Sequence, residues 1–159
     1  MKISPTALIA TIKLNLMRRP LWTSEMVQTV LDIFPPRLAG MIESGELPWA
    51  FNLGNGKNRL DVRVLAASAV EHKLGPIAAI GATKNLNLPE VINLVLPQRN
   101  VRGAELQRIF QVGTKHIQTL SEAGDIQRVA EKLPKVGPNA SPRFTRASLE
   151  KFMAKRRIA

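Results

Sequence analysis

Cysteine is absent from the 159-residue chain. That excludes disulfides, thiolate metal sites and cysteine nucleophiles, and suits a reducing cytosol. Aromatic residues make up only 4%, so any core has to be built from Leu, Ile, Val, Ala and Met. No apolar run approaches the ~20 residues that span a bilayer, and no membrane partner is expected. Ala7–Ala10 is apolar, but Lys13 follows too soon for the core of a secretory signal. His72 and His116 are the only histidines and lie far apart, so neither a metal site nor a histidine-based catalytic site is expected. There is no phosphate-cradling glycine loop, no Ser-His-Asp order and no spaced carboxylate pair. The expectation is a non-enzyme with no catalytic residues, no cofactor and no metal.

Acidic residues are also few. Lys and Arg number 23 against 12 Asp and Glu, for a net charge of +11. Residues 99–159 hold 13 Lys/Arg against 5 Asp/Glu, or +8, whereas residues 1–98 hold 10 against 7, or +3. A positive field attracts polyanions. Charge alone leaves nucleic acid, an anionic membrane and an acidic protein open.

What the chain does contain is a motif written twice. Thr23-Ser24-Glu25-Met26-Val27 is followed by Ser44-Gly45-Glu46-Leu47, and Arg102-Gly103-Ala104-Glu105-Leu106 by Ala123-Gly124-Asp125-Ile126. Gly45 stands 20 positions after Glu25, and Gly124 stands 19 after Glu105. Each half then reaches a basic-apolar pair, Arg59-Leu60 and Arg143-Phe144, and a small residue able to cap a helix, Asp61 and Thr145. An internal repeat constrains architecture before any single residue does.

Periodicity fills in the elements. Ser4-Pro5 opens a helix whose stripe is Leu8, Ile9, Ile12 and Leu16 and which Arg18-Arg19-Pro20 ends. Thr23 caps a helix facing inward through Met26, Val27, Val30 and Leu31. Phe34-Pro35 forms a turn, since the residue before proline is pushed out of the α region. Pro36 then opens a helix carrying Leu38, Met41 and Ile42, with Gly45 at a left-handed cap. Trp49, Phe51 and Leu53 alternate as a strand, and Asn55-Gly56 turns it back over about 58–62. An Ala-rich helix follows at about 64–71. Residues 72–98 form a connector, too apolar to be a loose linker, with a short buried helix over about 89–96. The second half places Leu106, Ile109 and Phe110 on one helix and a turn at Gln111-Val112-Gly113. Thr114 caps the next helix, whose inner face is Ile117 and Leu120. A strand is expected over 126–130, a wing loop over 131–142, and a last helix whose core face is Leu149, Phe152 and Met153.

The fold class expected is therefore mainly α with small β-hairpin wings, an α+β arrangement of tandem winged helix-turn-helix modules joined by an apolar connector. The segments are residues 1–71, 72–98 and 99–159. In such a module the second helix enters the major groove of DNA and flanking groups hold phosphates. The candidate DNA-binding residues of the second module are Thr114, Lys115, His116, Gln118 and Thr119, donors and acceptors suited to base edges and phosphates. Its wing adds Lys132, Lys135, Arg143 and Arg146. The first module offers Arg37, Lys57, Asn58 and Arg59, with Arg63 nearby, but Glu43 and Glu46 would repel phosphate. Lys155-Arg156-Arg157 reads as a solubilising or loosely phosphate-binding end. Trp22 and Trp49 are expected in the core.

The string Val101-Arg-Gly-Ala-Glu-Leu, Val112-Gly-Thr, Leu120-Ser-Glu-Ala-Gly124-Asp-Ile and Pro142-Arg-Phe-Thr145 resembles the winged helix-turn-helix of the MerR-like and excisionase-like superfamily. Thr23-Ser-Glu-Met-Val, Ile42-Glu-Ser-Gly45-Glu-Leu-Pro and Arg59-Leu-Asp61 look like a more diverged example. The resemblance covers about 21–71 and 99–157. It implies sequence-specific binding of double-stranded DNA, as a transcription regulator, an architectural factor or an accessory to recombination or excision of a mobile element. One chain would then bind two adjacent half-sites, in a cytoplasmic, nucleoid-associated setting. The rival expectation is an adaptor, or an accessory subunit of phage packaging or replication. Such an adaptor would recruit a recombinase, a polymerase or a second copy of itself through the 74–96 connector.

Overall fold

The computed structural model describes residues 18–54, 60–131, 133, 136–137 and 141–158. The helix expected before Arg18, the Asn55-Gly56 turn and half of the loop expected over 131–142 lie outside these residues. So do Lys57, Asn58, Arg59, Lys132 and Lys135. The chain runs β1 (Leu21–Thr23), α1 (Ser24–Leu31), α2 (Pro35–Ser44), β2 (Ala50–Asn52), β3 (Val62–Leu65) and α3 (Ala66–Leu74). A 3-10 turn (Thr83–Asn85) and α4 (Leu88–Val95) follow, then β4 (Val101–Arg102), α5 (Gly103–Phe110), α6 (Thr114–Glu122), β5 (Arg143–Phe144) and α7 (Arg146–Arg156). This is an α+β arrangement with two small antiparallel sheets, in the orders β1-β3-β2 and β4-β5. Strand, helix, helix, strand, helix recurs in the same order on both sides of the connector, and β2 is extra in the first half.

Local chemistry explains the matching turns. Helix α1 ends at Asp32 in the left-handed region (φ 53°), and the Ile33 N–H closes onto Gln28 O at 3.0 Å. Helix α5 ends likewise at Gln111 (φ 54°), with Val112 N–H on Gln107 O at 3.1 Å. The Asp32 and Gln111 N–H groups reach the same two carbonyls, so each helix ends on an oxygen that accepts twice. Thr23 accepts from Met26 N–H at 3.2 Å, the expected cap, and Gly45 (φ 82°) closes α2. Two boundaries differ from expectation. Pro35, expected in the turn, is the first residue of α2, where its missing N–H leaves nothing unpaired. Thr114, expected as a cap, is the first residue of α6; Gly113 stands at the cap without any side-chain acceptor.

The strands correct the register of the repeat. Thr23 pairs with Arg63 and Trp22 with Val64; in the second half Arg102 pairs with Arg143 and Val101 with Phe144. Leu65 and Thr145 then precede α3 and α7. The counterpart of Arg143-Phe144-Thr145 is therefore Arg63-Val64-Leu65, four positions beyond the Arg59-Leu60-Asp61 triplet expected from the sequence. Asp61 caps no helix. It receives hydrogen bonds from the Arg63 guanidinium. The return strand and the Ala-rich helix accordingly start later than expected, at Val62 and Ala66. Residues 126–130 form no strand; Arg128 makes a single antiparallel bridge to Phe144.

The first sheet is covered on both faces. Side chains alternate along a strand, and in register Trp22, Val64 and Ala50 join Val27, Leu38, Met41 and Ala66 in one apolar cluster. Leu21, Leu65, Trp49 and Phe51 face the other way. They enter a larger cluster with Val91 and Val95 of the connector helix and Leu106, Phe110, Phe152 and Met153 of the second half. That core crosses all three segments expected from the sequence. Helix α4 matches the expected short buried helix of the connector, and Asn87 and Glu90 close its start as a reciprocal capping box. Trp49 ties the connector in from the other side, donating Nε1–H to Thr83 O at 2.7 Å. Both tryptophans are buried, as expected.

Candidate nucleic-acid interface

Helix α6 carries the second-half candidates. Ile117 and Leu120 are buried against the core, which turns Thr114, Lys115 and Gln118 outward. Thr119 is half-buried and donates its hydroxyl to Lys115 O at 2.9 Å. Gln118 donates to Glu122 at 3.1 Å along the outer face. His116 is turned elsewhere: its Nε2 lies 2.5 Å from Leu53 O of the first half, so the ring serves as a donor inside the molecule. Thr114 and Gln118 also line a cleft of about 300 Å³ between α5, α6 and the return strand, together with Gln107, Arg128 and Phe144. Gly103 gives the cleft its back wall. A Cβ there would stand 3.3 Å from Ser141 Oγ, and its N–H already bonds Pro142 O at 2.9 Å.

The other described second-half candidates divide. Arg143 is ion-paired with Glu131, Nε to Oε1 at 3.1 Å. The hydrogen bond from Arg143 holds the Glu131 carboxyl below the usual carboxylate range, burial opposes it, and the charges of Arg143 and Arg102 add to the lowering. The same pairing raises the Arg143 guanidinium. Arg146 is committed to the interior. It donates to Pro97 O at 2.9 Å and Asn93 Oδ1 at 2.6 Å and pairs with Glu150, locking α7 to the connector. Arg37 of the first half lies against Glu46 at 3.1 Å. Lys115 and Arg128 have no acidic partner among the described residues.

Several basic residues hold the halves together instead of facing outward. Arg63, 5% exposed, donates Nε–H to Phe110 O at 2.8 Å and Nη2–H to Gln111 O at 2.7 Å. Those are the last carbonyls of α5, where a cation is favoured. Arg156 donates to Gly54 O at 2.9 Å, and the Arg157 guanidinium stacks 4.0 Å from the Trp49 ring centre. Ile158 N–H bonds Ala50 O at 2.9 Å, so the segment read as a basic tail pairs with the edge of β2.

Three arginines that the sequence reading did not assign to the surface lie beside α6. Arg18, Arg19 and Arg108 line a cleft of about 540 Å³ with Gln107, Gln111, Val112 and Gly113. Nothing in the linear sequence places Arg18 next to Arg108; the available signal was the Arg-Arg pair itself. Among the described residues no group of His, Asp and Glu is arranged to hold a metal ion, and no helix is long and apolar enough to cross a membrane. Comparison with protein-family models, with curated proteins and with solved structures yields no match for this chain.

Proposed function

We propose that the protein binds double-stranded DNA in a sequence-specific manner through its second half, with α6 in the major groove. One observation carries the reading: α6 buries Ile117 and Leu120 and turns Thr114, Lys115 and Gln118 outward beside Arg128, which has no acidic partner among the described residues. Gln and Lys are side chains that read base edges in a major groove, and Arg grips phosphate beside it. The repeated strand-helix-helix-strand-helix order, with a loop before β5, supports describing each half as a winged helix-turn-helix module. Regulation or DNA architecture is the role this proposal implies, without catalysis. The test is selection from random duplex pools with gel-shift titration at several salt concentrations. The expected outcome is one enriched sequence, affinity that falls with salt, and loss of enrichment in Lys115→Glu and Gln118→Ala with the thermal melt retained. Absence of any enriched sequence in the wild type refutes it.

A protein-recruiting role for the first half is the second reading. Its helix α2 starts beside Phe34, which is 82% exposed, and its lone cation Arg37 is neutralised by Glu46. A surface of that chemistry suits a protein better than phosphate. If Phe34→Ser leaves DNA binding intact but abolishes function in cells, the first half recruits and the second half reads.

A further inference from the structure

The two clefts beside α6 share Gln107 in their linings. The larger one gathers Arg18, Arg19 and Arg108, all exposed, and no carboxylate lines it. Arg108 donates to the backbone carbonyl of Arg18, which fixes the segment before β1 against the last turn of α5. Neither Arg18 nor Arg19 has an acidic partner among the described residues. Three like charges around one concavity repel unless an anion sits among them. Gly113, which caps α6 without a side-chain acceptor, also lines the cleft, so the positive end of the helix adds to the same field.

We infer that this cleft holds a backbone phosphate of the duplex, with Arg18 and Arg19 as the gripping residues. The inference rests on the DNA reading above and extends it. The leading segment of the first half then supplies affinity to the reading head of the second, 90 residues away in the chain. Phosphate contacts position a protein on DNA without selecting sequence. The clamp therefore contributes equally to every duplex.

The measurement is the salt dependence of binding of the full chain to the enriched duplex and to a scrambled one. Each phosphate contact contributes about 0.9 to the slope of log affinity against log salt. Between 50 and 200 mM salt, the wild type should lose roughly 3.5-fold more affinity than Arg18→Gln/Arg19→Gln, from one phosphate at that slope. The variant should weaken on both duplexes with their ratio kept, while Arg18→Lys/Arg19→Lys retains the wild-type slope. Wild-type binding with an unchanged slope and affinity in the Gln variant overturns the clamp and leaves the DNA reading standing. A variant that keeps its slope but loses the ratio between duplexes also overturns it, because the arginines would then read bases. A wild type with no salt-dependent duplex binding removes the DNA reading and the clamp together.

Discussion

Arg63 and Arg143 occupy the same register position in the two halves and meet opposite fates. Arg63 faces the second half and spends its donors on helix carbonyls. Arg143 faces outward and is held by Glu131. Because the Glu131 carboxyl is lowered from its usual range, the pair is intact at neutral pH. Its contribution to the fold is present above the ordinary carboxylate range and is lost as pH falls through the lowered value. On the DNA reading, Glu131 competes with phosphate for Arg143. Glu131→Gln should therefore strengthen duplex binding and steepen the salt slope by about 0.9, the increment of one phosphate. Gel-shift titration of this variant checks it; weaker binding would place Arg143 away from the duplex.

Helix beginnings and ends carry most of what the chain alone could disclose. The apolar stripes of α1, α2, α5, α6 and α7 lie where helical spacing puts them, and the Gly45 cap is a left-handed glycine as expected. The register of β3 was not legible, because Arg59-Leu60-Asp61 and Arg63-Val64-Leu65 both offer a basic-apolar pair and only strand pairing separates them. Nor were His116, Arg146 and Arg156 legible as internal donors. Their acceptors Leu53, Pro97 and Gly54 are backbone carbonyls distant in sequence, which leave no compositional trace. Thr145 shows what a cap does at the element scale. It accepts from Ser148 N–H at 3.3 Å at the start of α7, where its counterpart Leu65 makes no such bond at α3. Thr145→Ala should cost about 1 kcal/mol, as loss of an N-cap typically does. Thr145→Ser should restore it, both read by chemical denaturation.

Across the whole molecule, the sheet covered on both faces makes two repeats into one folding unit. An antiparallel sheet with one packed face normally leaves the other to water; here Leu21, Phe51 and Leu65 close it against α5 and α7 through a common apolar cluster. Arg63 is the polar centre of that junction, and removing it strands two carbonyls at the buried end of α5 and leaves Asp61 without its guanidinium. Hydrogen bonds from a charged donor contribute about 1.5–3 kcal/mol net. Arg63→Met, which fills similar space with no donors, should therefore cost about 3 kcal/mol and lower Tm by roughly 6–12 °C for a chain of this size. Both tryptophans stand in the first half, at positions 22 and 49. Tryptophan fluorescence thus follows the first half through Trp22 and its junction with the rest through Trp49, while far-ultraviolet circular dichroism follows all helices. In the wild type and in Arg63→Met the two signals should move through one coincident transition, as a single cooperative unit requires. Two separated transitions in the wild type would mean that the halves fold independently and that their shared core adds little. Separation in the variant alone would assign the coupling to the Arg63 junction, with the apolar cluster too weak to keep the halves together without it.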